Sequence, residues 1–405
     1  MKILQINSVV NKGSTGRIVE NIGLSIMKEG WSSYIAYGRG DENKSKSHTY
    51  RIGSTHSNII HALGTRLTDR HGFFSKKETN KLIEKIEKIQ PDLIHLHNIH
   101  GYYLNIEVLF NYLSKVNTPV VWTLHDCWAF TGHCTHYSAI KCFKWISSCY
   151  DCPQSKFYPK SLFIDNSQEN YSVKSELFTS LTNLTLVTVS NWLKGEVEKS
   201  FLSKHPIKTI SNGINLDIYK DIKQRYIDTS KFILLSLATS WSERKGLNDL
   251  IELSKYLNDD ECIVLVGLNK RQIKNLPLNI IGLERTESQE DLAKLYSQAG
   301  IVLSLSVEET FGLTIAEGFA CGTPAIVYNS TATPELITED TGGVVEPHDI
   351  VGVRKAIDKI RNSTINYKKA CRARAENLYN KDDRYQDYIA LYKELLNIKN
   401  DTIQR

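Results

Sequence analysis

The sequence lacks several features that would place it in a narrow class of proteins. No stretch of the 405 residues reaches the roughly 18 consecutive apolar residues that indicate a transmembrane helix. The first ten residues include Gln5 and Asn7 and no small-residue cleavage site, so we expect a first strand rather than a secretory leader. No internal repeat and no low-complexity tract is present. These absences favour a cytoplasmic globular protein.

The sequence also has little excess of positive over negative charge. The net charge is +5, from 50 Lys and Arg against 45 Asp and Glu. The positive excess lies in the first half and is too diffuse to indicate nucleic acid, although it suits an anionic acceptor or membrane surface. A hydrophobic content of 41% and a charged content of 23% are ordinary for globular proteins. The length allows two domains, each with its own core.

The most informative pattern lies in the second half of the chain. An apolar run from Ile301 to Leu305 predicts a buried strand, and Leu313 to Cys321 predicts a helix. Gly322 follows where a helix end favours positive φ, and Ala325 to Tyr328 predicts the next strand. This order of strand, loop, helix and strand is the βαβ unit of a parallel sheet.

The loop of this unit predicts a site for a phosphate flanked by carboxylates. It delivers backbone N–H groups to a helix N-terminus, where anions bind well. Glu309 precedes the helix and Glu317 lies within it, and a carboxylate can accept two hydrogen bonds from a vicinal diol. Such a pocket fits a nucleotide-sugar. The residues alone leave open that Glu309 is a solvated loop residue and Glu317 an exposed helix residue.

The complete string resembles a known signature. Ser306-x-x-Glu309-x-Phe311-Gly312-x4-Glu317 is similar to the donor site of family 4 retaining glycosyltransferases of the GT-B fold. Four further positions match the motifs of that family, and these are Gly13, His125, Asn212 and Lys245. One position departs from it, because Thr239 stands where the family usually carries an arginine before Lys245. Arg244 is the candidate replacement.

The resemblance implies an α/β protein with two Rossmann-like domains whose parallel sheets face across a cleft. We expect residues 1–218 to form the acceptor-side domain, with a Cys-rich insertion at 127–153. Residues 219–378 would bind the nucleotide-sugar, and residues 379–405 would form a C-terminal helix that returns to the first domain.

The resemblance also implies the reaction and its residues. A hexosyl group would pass from a UDP or GDP sugar to a hydroxyl of a saccharide or polyprenyl-diphosphate-linked acceptor, with retention, in exopolysaccharide or capsule synthesis of the colanic-acid type. Glu309, His125 and Lys245 would serve the chemistry, with no cofactor required. The implied donor-binding residues are Gly13, Asn212, Arg244, Lys245, Ser306, Glu309, Thr310, Phe311, Gly312, Leu313 and Glu317.

A Cys-rich segment lies outside the common pattern of the family. Five of the eight cysteines fall between Cys127 and Cys152, and the candidate metal ligands are Cys134, Cys142, Cys149 and Cys152. The closing Cys-x2-Cys is a good half-site for structural zinc, but the first pair is widely spaced. Reduced packing cysteines and disulfides remain as alternatives.

A long helical stretch is predicted around Phe73 and Phe74. The lysines that follow, together with an apolar stripe of Leu82, Ile83, Ile86 and Ile89, allow weak peripheral contact with the inner membrane face. The alternative is that the stripe packs on the sheet.

Two other functions share this architecture. A nucleotide-sugar 2-epimerase would need a different donor motif, so the spacing of Glu309 and Glu317 argues against it. A non-catalytic polysaccharide-assembly protein would not need Lys245 together with both glutamates.

Overall fold

The computed structural model describes residues 1–398, which divide into two compact units. Unit 1 comprises Met1–Ile210 together with the chain from Asp382, and unit 2 comprises Ser211–Lys381. The boundaries predicted at 218 and 379 lie a few residues from these divisions. The last part of the predicted C-terminal segment, 399–405, lies outside the described residues.

Unit 1 is built on a seven-stranded sheet in which all strands run parallel. Its strands are β1 (Lys2–Asn7), β2 (Ser32–Tyr37), β3 (His48–Arg51), β4 (Leu93–Leu96), β5 (Val120–Leu124), β6 (Leu184–Thr188) and β7 (Ile207–Thr209). Their order is β3-β2-β1-β4-β5-β6-β7. Strands β4, β5 and β6 are buried at every residue. Their burial on both faces explains why they are nearly continuous apolar runs.

Helices connect these strands, as a parallel sheet requires. They are α1 (Gly13–Lys28), α2 (Thr55–Thr68), α3 (Lys76–Ile89), α4 (Ile106–Leu113), α5 (Ser167–Thr179) and α6 (Asn191–Glu198). Local signals set several of their ends. Ser190 accepts a hydrogen bond from Leu193 N at 3.1 Å, and α6 begins directly after it.

Unit 2 repeats the plan with a six-stranded parallel sheet. Its strands are β8 (Phe232–Leu237), β9 (Glu261–Val266), β10 (Ile280–Leu283), β11 (Ile301–Ser304), β12 (Ala325–Tyr328) and β13 (Gly342–Val345). Its helices are α7 (Leu247–Leu253), α8 (Lys270–Lys274), α9 (Gln289–Gln298), α10 (Leu313–Ala320), α11 (Ile350–Arg361) and α12 (Tyr367–Tyr379). The predicted βαβ unit is therefore β11, α10 and β12. Gly322 follows α10 with a φ of 83°, as predicted.

The six strands of unit 2 follow the same order as the first six strands of unit 1, which adds β7 at one edge. In unit 2 the order is β10-β9-β8-β11-β12-β13. This is the doubly wound arrangement, in which the chain reverses direction between β1 and β4 and between β8 and β11. Ligands of such sheets bind beyond the carboxyl ends of the strands at this reversal. The predicted fold of two Rossmann-like parallel sheets is confirmed.

The last helix, α13 (Lys381–Leu395), packs on unit 1. Its buried side chains join a cluster that contains Ile3, Ile22 and Leu93 of the sheet and its helices. The contributing residues of α13 are Tyr385, Tyr388, Ile389, Leu391 and Tyr392. Fully burying one large apolar side chain contributes about 1.5–3 kcal/mol. This cluster therefore holds α13 firmly to unit 1.

Two predictions for unit 1 are wrong in detail. The long helix predicted around Phe73 and Phe74 is interrupted, because α2 ends at Thr68 and α3 begins at Lys76. Asp69, Gly72 and Ser75 have φ values of 55°, 92° and 61°, and these left-handed conformations cannot continue a right-handed helix. Strand β3 was also missed, since its sequence HTYR has no apolar pattern.

The apolar stripe of α3 does not face outward. Leu82, Ile86 and Ile89 are buried and Ile83 is partly buried. The hypothesis that this stripe contacts a membrane is therefore wrong, and the packing alternative describes it. Among residues 1–398, no helix combines the length and apolar character that crossing a membrane requires.

Candidate active site

Two loops meet at the carboxyl ends of β8 and β11 in unit 2. The first ends in a short 3-10 helix, Glu243–Lys245, followed by Gly246 with a φ of 76°. A Cβ at Gly246 would lie only 2.2 Å from the carbonyl oxygen of Leu305. Only glycine therefore allows the first loop to approach the second this closely.

Arg244 fastens these loops together. Its Nη1 donates to the carbonyl oxygen of Glu308 at 2.8 Å, and its own carbonyl oxygen accepts from Val307 N at 3.0 Å. The hydroxyl of Ser306 also donates to the carbonyl oxygen of Arg244, at 3.1 Å. Arg244 and Ser306 thus shape the loop, and the direct diphosphate contacts proposed for them stay predictions.

The result is an ion pair between the two loops. Lys245 Nζ bonds to Glu309 Oε1, and each side chain is about one-fifth exposed (21% and 23%). A third loop, after β12, holds the backbone of Glu309, whose N–H donates to Thr331 Oγ1 at 2.9 Å. A cation and a carboxylate from separate loops therefore lie together in a partly exposed position.

Helix α10 begins directly after this loop. Gly312 precedes it with a φ of 109°, no side chain caps the helix, and its first turn contains no acidic residue. The positive end of its dipole and its first N–H groups are thus suited to an anion. Thr310, Phe311, Gly312 and Leu313, predicted to bind diphosphate, form this segment.

Glu317 lies on α10, about one turn beyond its start. Its Oε2 accepts a hydrogen bond at 2.9 Å from the hydroxyl of Tyr296 on α9. Burial and the carboxylate of Glu317 raise the pKa of Tyr296 well above its usual value, so this hydroxyl remains a donor. Sequence reasoning missed Tyr296, because nothing local relates it to Glu317.

The predicted residues of unit 1 lie along the carboxyl edge of its sheet. Gly13, with a φ of 64°, is the first residue of α1, after the loop that follows β1. His125 follows β5. Asn212 is not among them, because it lies near the start of unit 2, where its side chain is buried.

His125 is connected to the interior by a chain of side chains. Its Nε2 lies 3.2 Å from Nδ1 of His97, and the two rings stack with centroids 5.5 Å apart. His97 Nε2 in turn lies 3.2 Å from Gln5 Oε1, while Gln5 Nε2 donates to Val19 O at 3.0 Å. Burial, partly opposed by Asp126, lowers the pKa of His125 to about 4. Its imidazole is therefore neutral at pH 7.

A second polar pair lies beside His125. His100 Nε2 is 2.9 Å from Asp126 Oδ2, and His100 Nδ1 is 3.1 Å from the hydroxyl of Tyr158. Burial opposes ionisation of Asp126, but the adjacent His100 outweighs it and lowers the pKa to about 2. His95 is a buried core residue, held by Tyr392 and Thr123.

The four candidate zinc ligands line one small cavity of ≈ 20 Å³. Within residues 1–398, none of the eight cysteines forms a disulfide, so the disulfide alternative does not describe the structure. Cys149 Sγ accepts a hydrogen bond from Gly132 N at 3.2 Å. Within residues 1–398, no group of three or more His, Cys, Asp or Glu side chains is placed to hold a metal ion. Zinc at Cys134, Cys142, Cys149 and Cys152 stays a prediction.

Comparison with known families matches almost the whole chain. Residues 16–218 match the family described as Glycosyltransferase Family 4, and residues 217–378 match Glycosyl transferases group 1.

Individual relatives agree with this match. A putative colanic acid biosynthesis glycosyl transferase of Escherichia coli (strain K12) is 24% identical over 87% of this chain and 89% of its own length. An N-acetyl-alpha-D-glucosaminyl L-malate synthase of Bacillus anthracis is 28% identical over 48% of this chain and 54% of its own.

Solved structures show the same fold. Sucrose-phosphate synthase of Thermosynechococcus elongatus has a TM-score of 0.72 with 17% identity, covering 98% of this chain and 100% of its own. Anabaena HepE, solved in complex with UDP, has a TM-score of 0.68 with 15% identity over 97% and 100%. The structural comparisons agree with the matched families, the parallel sheets and the Lys245–Glu309 ion pair. Together they show that the chain belongs to the family 4 glycosyltransferases of the GT-B fold.

Proposed function

We propose that the protein transfers a hexosyl group from a nucleoside-diphosphate sugar to a hydroxyl acceptor, with retention of configuration. The observation that carries this proposal is the group of donor-type residues in unit 2. Lys245 and Glu309 form an ion pair there, and α10 contributes Glu317 and an N-terminus without a side-chain cap. Each matches one part of a nucleotide-sugar.

The roles follow from the chemistry of each group. Lys245 and the first N–H groups of α10 bind the diphosphate and stabilise the charge that develops on it as the glycosidic bond breaks. This arrangement meets the charge of the leaving group without requiring a metal ion. Glu317 accepts hydrogen bonds from the ribose hydroxyls, and Glu309 accepts them from the donor sugar.

The Lys245–Glu309 pair has a consequence for donor binding. Lys245 is paired with Glu309, so neither charge is left uncompensated in a partly buried position. An entering diphosphate offers Lys245 a second anion, and Glu309 then turns its acceptor capacity to the sugar hydroxyls. The pair therefore prepares the site for a ligand that carries both groups.

The chemical step needs no enzymatic nucleophile. The anomeric carbon–oxygen bond breaks, the diphosphate leaves with the electron pair, and its oxygen takes the proton of the acceptor hydroxyl. The acceptor oxygen then bonds to the anomeric carbon on the face that the diphosphate left, which retains the configuration.

We further propose that the acceptor is a saccharide held on a membrane lipid at the cytoplasmic face, for surface polysaccharide synthesis. Support comes from the colanic acid relative. A second relative, 28% identical over 35% of this chain and 47% of its own length, is a processive diacylglycerol alpha-glucosyltransferase of Acholeplasma laidlawii. By its name, that protein acts on a lipid.

A product analysis tests the proposal. The purified protein is incubated with UDP and GDP sugars and with polyprenyl-diphosphate-linked and free saccharide acceptors. The anomeric proton coupling of the product is then read by NMR. We expect one donor to give a product with the anomeric configuration of that donor. An inverted product would contradict the mechanism, and conversion of the nucleotide-sugar to its 2-epimer would replace transfer by epimerisation.

A further inference from the structure

Helix α2 presents an apolar stripe on the outside of unit 1. Its exposed apolar side chains, each half exposed or more, are Ile59, Ile60, Leu63 and Leu67. Their spacing places them on one face of the helix. The opposite face holds the buried residues His61 and Thr65. A surface helix normally directs its polar face outward, whereas α2 directs apolar side chains outward.

The segment 154–166, which follows the Cys-rich insertion, extends this stripe. Phe157, Leu162, Phe163 and Ile164 are exposed, and Phe163 is 81% exposed. The segment is tied to the end of α2, because Leu162 N donates to Arg66 O at 2.8 Å and Asn166 Nδ2 donates to Thr68 O at 2.7 Å. These four residues and the four of α2 therefore form one surface, here named the α2 surface. Contiguous exposed apolar area of this kind marks an interaction site.

Positive charge accompanies the α2 surface. Arg66, Lys156 and Lys160 are exposed within the same two segments. Two nearby carboxylates are already engaged in ion pairs, Asp69 with His133 and Glu169 with Arg70. Asp165 accepts backbone hydrogen bonds from Cys152 and Ser167. The α2 surface thus combines apolar side chains with three exposed cationic ones.

We propose that the α2 surface binds the surface of an anionic lipid bilayer. The outer face of α2 is convex, and the neighbouring segment adds projecting side chains such as Phe163. A bilayer accepts projecting apolar side chains at the depth of its headgroups, whereas a protein partner must supply a matching groove. The adjacent lysines and arginine are complementary to anionic headgroups.

The α2 surface is continuous with the candidate site of unit 1. Tyr158 lies between Phe157 and Lys160 in the chain, and it is 41% exposed. Its hydroxyl contacts His100, which pairs with Asp126 directly after His125. A bilayer bound here would hold the headgroup region close to the carboxyl edge of the sheet.

This inference adds a membrane-binding surface to the proposed function. The benefit of such a surface rests on the proposed membrane-held acceptor. A soluble chain that modifies a lipid-linked saccharide gains from staying at the bilayer, since the acceptor is then concentrated in two dimensions. Binding to lipid itself requires neither donor nor acceptor, so it can be measured separately from transfer.

Vesicle binding by the full chain tests the proposal. We expect the wild type to sediment with vesicles of phosphatidylglycerol and phosphatidylcholine about tenfold better than with phosphatidylcholine alone. The double variant Leu63→Glu/Phe163→Glu should lose at least about tenfold of this binding. The matched control, Leu278→Glu/Val351→Glu, changes two exposed apolar side chains of unit 2 and should bind as the wild type does.

The remaining outcomes separate the possible failures. Equal sedimentation of wild type and Leu63→Glu/Phe163→Glu would overturn the proposal. So would light scattering that shows a wild-type dimer which this variant loses, since the occupant would then be a second copy. Vesicle binding that depends on the α2 surface in a protein without sugar transfer would uphold this inference while refuting the proposed function. Retained transfer to a water-soluble acceptor would show that the variant is folded.

Discussion

At the scale of single residues, the proposed donor site depends on Lys245, Glu309 and Glu317. The structure adds the partners of these residues, which the sequence could not show. Lys245 is held against Glu309, and Glu317 is held by Tyr296. Each of these contacts can be tested by substituting one of its partners.

Replacing Lys245 with methionine should weaken binding of the nucleoside diphosphate by roughly 10- to 100-fold, because a hydrogen bond to a charged group contributes about 1.5–3 kcal/mol. Isothermal titration with UDP and GDP measures the change. The matched control is Lys255→Met, which removes another Lys–Glu pair of unit 2 that is exposed, with Glu252. Unchanged affinity in Lys245→Met would remove this residue from the diphosphate site.

Tyr296→Phe should affect the ribose side of the donor alone. Loss of the hydroxyl leaves Glu317 less well oriented, so we expect about 3- to 10-fold weaker binding of the nucleoside diphosphate. Affinity for inorganic pyrophosphate, which has no ribose, should stay the same. Tyr256→Phe changes an exposed tyrosine of unit 2 and serves as the control. Equal losses for both ligands would place Tyr296 in a structural role.

At this scale, the sequence predicted the residues that belong to a contiguous motif. Glu309, Gly312 and Glu317 were found because their spacing is fixed along one loop and helix. The contacts of His100 with Asp126 and Tyr158 could not be predicted, because they join three segments that are distant in the chain. Only the folded sheet brings those segments together.

At the scale of elements, the site depends on how closely the loops after β8 and β11 approach. Gly246→Ala should destabilise unit 2, since the new Cβ would collide with Leu305 O and the φ of 76° is unfavourable for alanine. We expect a loss of roughly 1–3 kcal/mol in the free energy of unfolding. Denaturant unfolding measures it, and weaker donor binding should accompany it because Lys245 is displaced.

Gly195→Ala is the control for this substitution. Gly195 lies inside α6, and an added Cβ there has no atom within 4 Å. Alanine should therefore stabilise the helix by up to about 1 kcal/mol. If both glycine variants behaved alike, the close approach of the two loops would not be what Gly246 provides.

Elements with a clear apolar pattern were predicted well, and those without it were not. The β11–α10–β12 unit was predicted because its two strands are apolar runs and the sequence marks the end of α10. Strand β3 is half-buried and polar, so no periodicity marks it. The α2 surface was missed for a related reason, since an exposed apolar stripe and a buried one give the same pattern along a helix. The lysine-rich α3 gave the more conspicuous signal.

At the scale of the whole molecule, unit 1 contains a set of buried histidines whose pKa values are lowered. Burial lowers the pKa of His61 to about 3 and that of His125 to about 4, and it lowers those of His71, His95 and His97 well below the usual value. In the unfolded chain each binds a proton below a pH of about 6.5. As the pH falls, these histidines therefore bind protons in the unfolded state at pH values where they remain neutral in the folded state.

The free energy of unfolding should accordingly fall as the pH drops from about 7 to 5, by up to about 1.4 kcal/mol per pH unit for each such histidine. Their contribution is complete above a pH of about 6.5 and is lost as the pH falls toward the folded pKa values. Denaturant unfolding at several pH values measures the slope. His61→Gln should reduce it, and Leu63→Gln on the same helix should not. A free energy of unfolding that does not change over this range would contradict the prediction.

The central claim is that unit 2 binds a nucleotide-sugar through Glu309 and that the chain transfers the sugar. The most direct measurement is release of nucleoside diphosphate from UDP and GDP sugars in the presence of lipid-linked acceptor, compared between the wild type and Glu309→Gln. We expect the wild type to release nucleoside diphosphate from one matching donor only when the acceptor is present. Release should be at least about tenfold slower in the variant, which loses a charged hydrogen-bond acceptor. Release at the same rate by both proteins, or no release from any donor, would contradict it.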